Sequence, residues 1–353
     1  MDRRTFVKTV TGAVAAATVR PGALQAAEAE PSAAKLPRWR GFNLLEKFIF
    51  NKSGNGPFQE SDFEMMAGWG FDFVRLPMDY RCWADDADAP AFKEEALKHI
   101  DQAVELGKQY KIHVNLNFHR APGYCVNPPQ EALNLWEDPK AQEQFGRHWA
   151  FFAKRYKGIP SRRVSFDLVN EPAGTDNAKY AVVVGKAVQA IRAEDPGRLV
   201  IADGNQWGNK PVPEIAPLKV GQSTRGYQPF QLTHYKAGWV GGSDKWPEPT
   251  WPLGDYTKEK HWKEQVEPWK ALEAQGVGVH VGEWGAFSHT PHKVVLAWMK
   301  DMLDNWRKAG WGWSVWNLRG AFGVLDSGRK DVTYEDLKGK KLDKAMLEIL
   351  KAG

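Results

Sequence analysis

The chain has 353 residues, 42% of them hydrophobic and 26% charged, an ordinary globular composition that excludes extensive disorder. Its 48 basic and 43 acidic residues leave a net charge of +5 without long runs of one sign, so the charges read as solvated faces and no nucleic-acid partner is expected. Seventeen tryptophans are the anomaly, because many fall in Gly/Pro-rich stretches where packing alone does not require large flat rings.

Residues 1–29 stand apart from the fold. Arg3 and Arg4 precede Thr5, Phe6, Val7 and Lys8, then a mild apolar run from Thr9 to Val19 and Arg20. This resembles a twin-arginine export signal, with candidate cleavage points at Ala27-Glu28-Ala29 and Leu24-Gln25-Ala26. The run is far short of the roughly 20 residues needed to span a bilayer, so no permanent membrane anchor is expected. The resemblance implies passage through the twin-arginine translocase and a periplasmic or secreted bacterial protein. The leader holds no cysteine to carry a lipid.

Beyond the leader, strands and helices alternate. Arg40 to Leu44 is a short strand, Phe58 to Trp69 a helix with Ser61 as its cap, and Phe71 to Pro77 a second strand. Pro90 to Tyr110 has helical spacing and leads into a third strand, His113 to Phe118. The helix Gln142 to Tyr156 precedes a fourth strand, Val164 to Val169. The helix Ala178 to Ala193 precedes a fifth, Leu199 to Ala202. Phe230 to His234 is expected as the sixth strand, followed by one helix from Lys258 to Gln275. Val277 to Gly282 is the seventh strand, Lys293 to Lys308 a helix, Gly312 to Trp316 the eighth strand, and Leu342 to Lys351 a final helix.

Eight short apolar strands separated mostly by helices predict parallel pairing, and eight strands close into a barrel filled by side chains. The expected fold is therefore an α/β (β/α)8 TIM barrel, one catalytic domain over residues 30–353. A doubly wound open sheet is the alternative, but its Gly-rich turn is missing: Leu45-Glu46-Lys47-Phe48 follows the first strand. No Ser/Pro-rich linker divides the chain. Cys82 and Cys125 follow consecutive strands, which leaves open either two thiols or a disulfide, and neither has the spacing of a zinc site.

In such a barrel the polar residues at strand carboxyl ends converge on one face. Those ends supply Arg75, His119, Asn170 with Glu171, His234 with Tyr235, Glu283 and Trp316. Either glutamate alone could be a solvated loop carboxylate. Together, on strands four and seven, they face one mouth, and a pair of carboxylates in that position is what cleavage of a glycosidic bond requires.

The chain resembles glycoside hydrolase family five, the cellulase family. The resemblance rests on Arg75-Leu76-Pro77, His119-Arg120-Ala121-Pro122-Gly123, Asn170-Glu171-Pro172, Thr233-His234-Tyr235, Val281-Gly282-Glu283-Trp284-Gly285 and Trp316, in order at strand spacing. It implies a retaining glycosidase in which Glu171 is the general acid/base and Glu283 the nucleophile. It further implies that Arg75 neighbours Glu283, Asn170 binds the sugar 2-hydroxyl, His119 binds a hydroxyl of the reacting sugar, and Trp316 forms the floor beneath that sugar. On the sixth strand the family shows a histidine and a tyrosine two positions apart, whereas His234 and Tyr235 are adjacent and would point to opposite faces.

Trp239, Trp246 and Trp251 in the loop after His234, with Trp136, Trp207 and Trp284 elsewhere, are candidates for stacking on sugar rings. A β-glucan is the leading substrate implied by the family. A β-mannan, or exo attack by a β-glycosidase, stands open beside it. A silent sugar-binding barrel is the rival from another class, and a metal-dependent or serine hydrolase finds neither its histidine cluster nor its Gly-x-Ser-x-Gly turn. No cofactor and no metal are expected, and the protein is expected to be a monomer.

Overall fold

Eight parallel strands pair around a closed ring: β1 (Arg40–Asn43), β2 (Phe73–Asp79), β3 (His113–Ala121), β4 (Val164–Asp167), β5 (Val200–Asp203), β6 (Gly221–Gly226), β7 (Val279–Trp284) and β8 (Gly312–Val315). The ring closes where β1 takes β8 on one side, Phe42 opposite Val315, and β2 on the other, Phe42 opposite Val74. The protein is seen in a computed structural model that describes residues 30–51, 54–89 and 91–353. The expected export signal lies outside the described residues. The fold is the expected (β/α)8 barrel.

Helices pack outside the ring because each carries one apolar stripe. Glu94–Tyr110 buries Ala96, Leu97, Ile100, Ala103, Val104 and Leu106 at helical spacing and ends at Lys111 in the left-handed conformation. Pro139–Arg155 starts with a proline in its first turn, and the Asp138 carboxylate accepts the amide of Lys140. His292–Ala309 turns its tryptophans, Trp298 and Trp306, onto the barrel wall and stops at Gly310. The expected helix from Lys258 is broken: Lys258–His261 runs through a π turn, Trp262–Val266, into Glu267–Glu273. Pro268 explains the break, since it has no N–H and its ring crowds the carbonyl four residues back. Among the described residues no helix is long and apolar enough to cross a membrane.

The lower mouth of the barrel is plugged. Trp39 stacks on the His113 ring at 3.7 Å between centroids and on Phe73 at 5.6 Å, with Leu36, Leu199 and Ile201 around them. Burial pushes the His113 imidazole down to about 3, so it is neutral, and it exchanges a hydrogen bond with Ser165 Oγ at 2.7 Å. The opposite, carboxyl-terminal mouth is open and carries the loops.

One expected strand is corrected. Phe230–Thr233 is a single helical turn, and the sixth barrel strand is Gly221–Gly226, Gly-Gln-Ser-Thr-Arg-Gly. That strand has almost no apolar side chain of its own because neighbours fill the space on both of its faces. A Cβ on Gly221 would stand 3.1 Å from Leu36, and one on Gly226 would meet Trp306 at 2.7 Å. Both cysteines are free and buried, Cys82 Sγ lying 3.6 Å from the carbonyl of Lys47 and Cys125 Sγ 3.7 Å from that of His119.

Candidate active site

Two arginines organise the open mouth. Arg75, from β2, is fully buried; its Nε donates to Asp167 Oδ2 at 2.7 Å, Nη1 to Asn43 Oδ1 at 3.1 Å and to Glu283 Oε1 at 2.5 Å, and Nη2 to Asn170 Oδ1 at 2.9 Å. Arg225, from β6, donates from Nε to Glu171 Oε1 at 3.0 Å and from Nη2 to Asn170 Oδ1 at 2.9 Å, and its Nη2 lies 3.4 Å from Glu283 Oε1. It also forks onto Asp203, Nη1 to Oδ1 at 3.0 Å and Nη2 to Oδ2. Buried charges persist only when paired in this way.

Local backbone irregularities aim the key side chains. Pairing between β6 and β7 slips at Thr224/Arg225, and that between β7 and β8 slips between Val281 and Trp284, so bulges flank Arg225 and Glu283. Glu171 sits just beyond β4 with φ +50°, a left-handed conformation that a residue with a Cβ adopts at a cost of about 1–3 kcal/mol. It is clamped there from both sides. Its N–H donates to Asp203 Oδ2 at 2.8 Å, and its carbonyl accepts from the Tyr124 hydroxyl at 2.6 Å.

The two glutamates have unlike surroundings. Burial first, then the negative charge of Glu283, raises the Glu171 carboxyl to about 8, against the opposing pull of Arg225. Glu283 faces Arg75, Arg225 and the Tyr227 hydroxyl, which donates to Oε2 at 3.2 Å. Burial and the two glutamates push the Tyr227 phenol well up, so it keeps the proton it donates. Asn170 Oδ1 is occupied by both arginines, while its Nδ2 is buried and has no partner among the described residues. A buried donor left in this way is costly unless a ligand takes it up.

His119 lies at the same mouth, between Phe48 at 4.3 Å and Trp316 at 5.8 Å between ring centroids. Burial and the nearby Arg75, Arg225 and Arg120 hold its imidazole well below the usual histidine range, so it is neutral. Trp316 is half-buried, with Phe48 against its edge.

The aromatic candidates divide. Trp207 and Trp239 are exposed, 54% and 61%, and Trp239 stands beside Phe287 and Phe322. Trp246 is half-buried against Phe230, and Trp251 is half-buried with its Nε1 held by Asp301 at 2.8 Å. Trp136 is packed on Tyr124 and Tyr180. Trp284 is wholly buried among Trp298, Trp306 and Trp313, on the face of β7 opposite Glu283, and cannot meet a sugar. His234 is largely buried, stacked on Phe230 at 4.0 Å and edge-on to Tyr227 at 5.2 Å, and Tyr235 packs under Lys236. The tyrosine that contacts Glu283 is Tyr227, seven residues before the His234-Tyr235 pair.

Arg225, Tyr227, Asp203, Asp167 and Phe48 escaped the sequence reading. Arg225 and Tyr227 were nonetheless visible as a pair: they have the two-residue spacing of the family's histidine and tyrosine, with arginine where the histidine stands. Asp203 follows directly on the expected fifth strand.

The family model described as cellulase (glycosyl hydrolase family 5) matches residues 28–321. The chain belongs to glycosyl hydrolase family 5. It is an enzyme, a retaining O-glycosyl hydrolase. Endoglucanase C of Acetivibrio thermocellus is 28% identical over 318 residues, covering 81% of this chain and 92% of that protein. A crystal structure described as a glycoside hydrolase is 38% identical and superimposes with a TM-score of 0.84 over 89% of this chain and 99% of its own. Endoglucanase Cel5A of Thermotoga maritima, 24% identical with a TM-score of 0.73 over 88% of this chain and 96% of its own, shares the fold.

Proposed function

We propose that this family 5 enzyme cleaves β-linked glucan, with Glu171 as general acid/base and Glu283 as nucleophile. The observation that carries the assignment is the shared guanidinium of Arg225, which touches a carboxyl held protonated by burial on one side and, on the other, a carboxylate faced by a second arginine. The retaining course uses carboxyl groups about 5 to 5.5 Å apart, and one guanidinium touching both is compatible with that spacing.

In the first half-reaction Glu283 attacks the anomeric carbon, the glycosidic C–O bond breaks, and the Glu171 proton goes to the departing oxygen. In the second, Glu171 takes a proton from water as the water oxygen attacks that carbon and the ester to Glu283 breaks. Asn170 Nδ2 is the free donor for the 2-hydroxyl, His119 accepts or donates to a hydroxyl of the same sugar, and Trp316 forms the floor. Trp207 and Trp239 are exposed faces for sugars further along a chain. The names of two relatives, endoglucanase C and cellodextrinase A of Ruminococcus flavefaciens, support a glucan.

The test is release of reducing ends from a panel of β-glucans and β-mannans, with anomeric configuration followed by NMR. Wild type should release product from a glucan with the β configuration retained, and Glu283→Ala should bind without turnover. Equal binding and no turnover by wild type would favour a silent sugar-binding barrel. Residence outside the cytoplasm belongs to the same proposal: replacing Arg3 and Arg4 by lysine should leave the protein inside the cell, and unchanged export would contradict it.

A further inference from the structure

Arg225 stands two residues before Tyr227, and the surrounding structure is shaped for an arginine. A Cβ on Gly208, which has φ +73°, would stand 2.6 Å from Arg225 Cγ. One on Gly282, the residue before Glu283, would stand 3.0 Å from Nη1 and collide with Ser223 Oγ, itself 3.1 Å from Nη1. Two glycines from different elements thus leave the space that the long side chain fills. A single carboxylate, Asp203, then fixes both the arginine fork and the backbone N–H of the strained Glu171.

We propose that Asp203 and Arg225 form a positioning pair in which one fixed cation, in contact with both glutamates, keeps a partner as the negative charge passes from Glu283 to Glu171 and back. The proposal rests on the assignment of Glu171 and Glu283 above. Before bond cleavage the charge is on Glu283, 3.4 Å from Nη2; once Glu283 is esterified and Glu171 has given up its proton, the charge is on Glu171, 3.0 Å from Nε. The electron pair of Glu283 becomes the new C–O bond, the glycosidic pair leaves with the departing oxygen, and water later supplies the returning proton. Histidine in this place could be neutral, whereas the guanidinium is charged throughout the cycle. Asp203 offsets that charge, so the arginine does not strip the acid of its proton before substrate arrives.

The charged and titratable groups facing Glu171 are Glu283 from β7, Arg225 from β6, Asp203 from β5, and the phenols Tyr227 and Tyr124. Arg225 favours the Glu171 anion and Asp203 disfavours it, so removing each should move the acid in opposite directions. The experiment is the pH profile of kcat/KM on cellotetraose for Arg225→His, Arg225→Lys and Asp203→Asn. The alkaline limb should rise by about one pH unit in Arg225→His and fall by about one in Asp203→Asn. Arg225→Lys keeps the charge, so its limb should stay near wild type while kcat falls. A merely structural pair would lower kcat in all three with the limb unmoved, and that result, or shifts of the same sign, overturns the proposal. If Arg225→His does not fold, the downward shift in Asp203→Asn decides alone, because loss of an unrelated support would not lower the limb. Failure of the underlying assignment is seen separately: Glu171→Ala would then keep the alkaline limb and show no rescue by azide on nitrophenyl β-cellobioside.

Discussion

The Tyr227 hydroxyl donates to Glu283 Oε2 at 3.2 Å, while Arg75 holds Oε1 of the same carboxylate at 2.5 Å. The two contacts fix the plane of the Glu283 carboxylate from opposite ends. Tyr227→Phe removes one of them without disturbing the barrel. A hydrogen bond to a charged group is worth about 1.5–3 kcal/mol, so kcat should fall roughly 10- to 160-fold with KM and melting temperature nearly unchanged. Steady-state kinetics beside thermal unfolding checks this.

The raised carboxyl of Glu171 fixes the sign of the pH response. A group shifted up to about 8 is protonated at neutral pH, the form a general acid needs, and loses its proton as pH rises through that value. On an oligosaccharide with a poor leaving group, kcat/KM should hold through neutrality and decline on the alkaline side. A decline already complete by pH 6 would contradict the assignment.

Exposed and buried tryptophans should separate in mutagenesis. Trp207→Ala and Trp239→Ala should leave stability unchanged and raise KM for long oligosaccharides by roughly 2- to 10-fold, the worth of one stacked ring. Trp284→Ala should instead cost about 3–5 kcal/mol of stability by opening a cavity between β7 and the helix His292–Ala309. Thermal unfolding and chain-length dependence of KM distinguish the two classes.

Seven of the eight strands were legible because a parallel strand covered on both faces becomes an apolar run, as at Val164-Ser165-Phe166 and Val200-Ile201-Ala202. The sixth was not, because Leu36 and Trp306 supply the apolar contacts that Gly221 and Gly226 lack, and its inward residues are polar. The apolar Phe230-Gln231-Leu232 drew the assignment away, and with it the tyrosine. Trp284 shows the reverse case. Adjacent strand residues face opposite ways, so the inward Glu283 already implied an outward Trp284. The pairing of Arg225 with Asp203 joins strands whose contact no local pattern records.

Cys82 and Cys125 should behave as two shielded thiols. Burial pushes the Cys82 thiol up to about 12 and raises that of Cys125, so neither offers a thiolate at neutral pH. A thiol reagent should label neither in the native protein and both after denaturation, without added reductant. Labelling that required reductant would reveal a disulfide.

The most direct test of the paired glutamates is covalent capture. An activated 2-deoxy-2-fluoro β-cellobioside slows both half-reactions, while its good leaving group allows the first to proceed, so the glycosyl-enzyme ester accumulates. Mass spectrometry of the intact protein should show one added fluoroglycosyl unit, and fragmentation of the peptides should place it on Glu283. A label on any other residue, or turnover of the reagent with inversion and no adduct, would contradict the account.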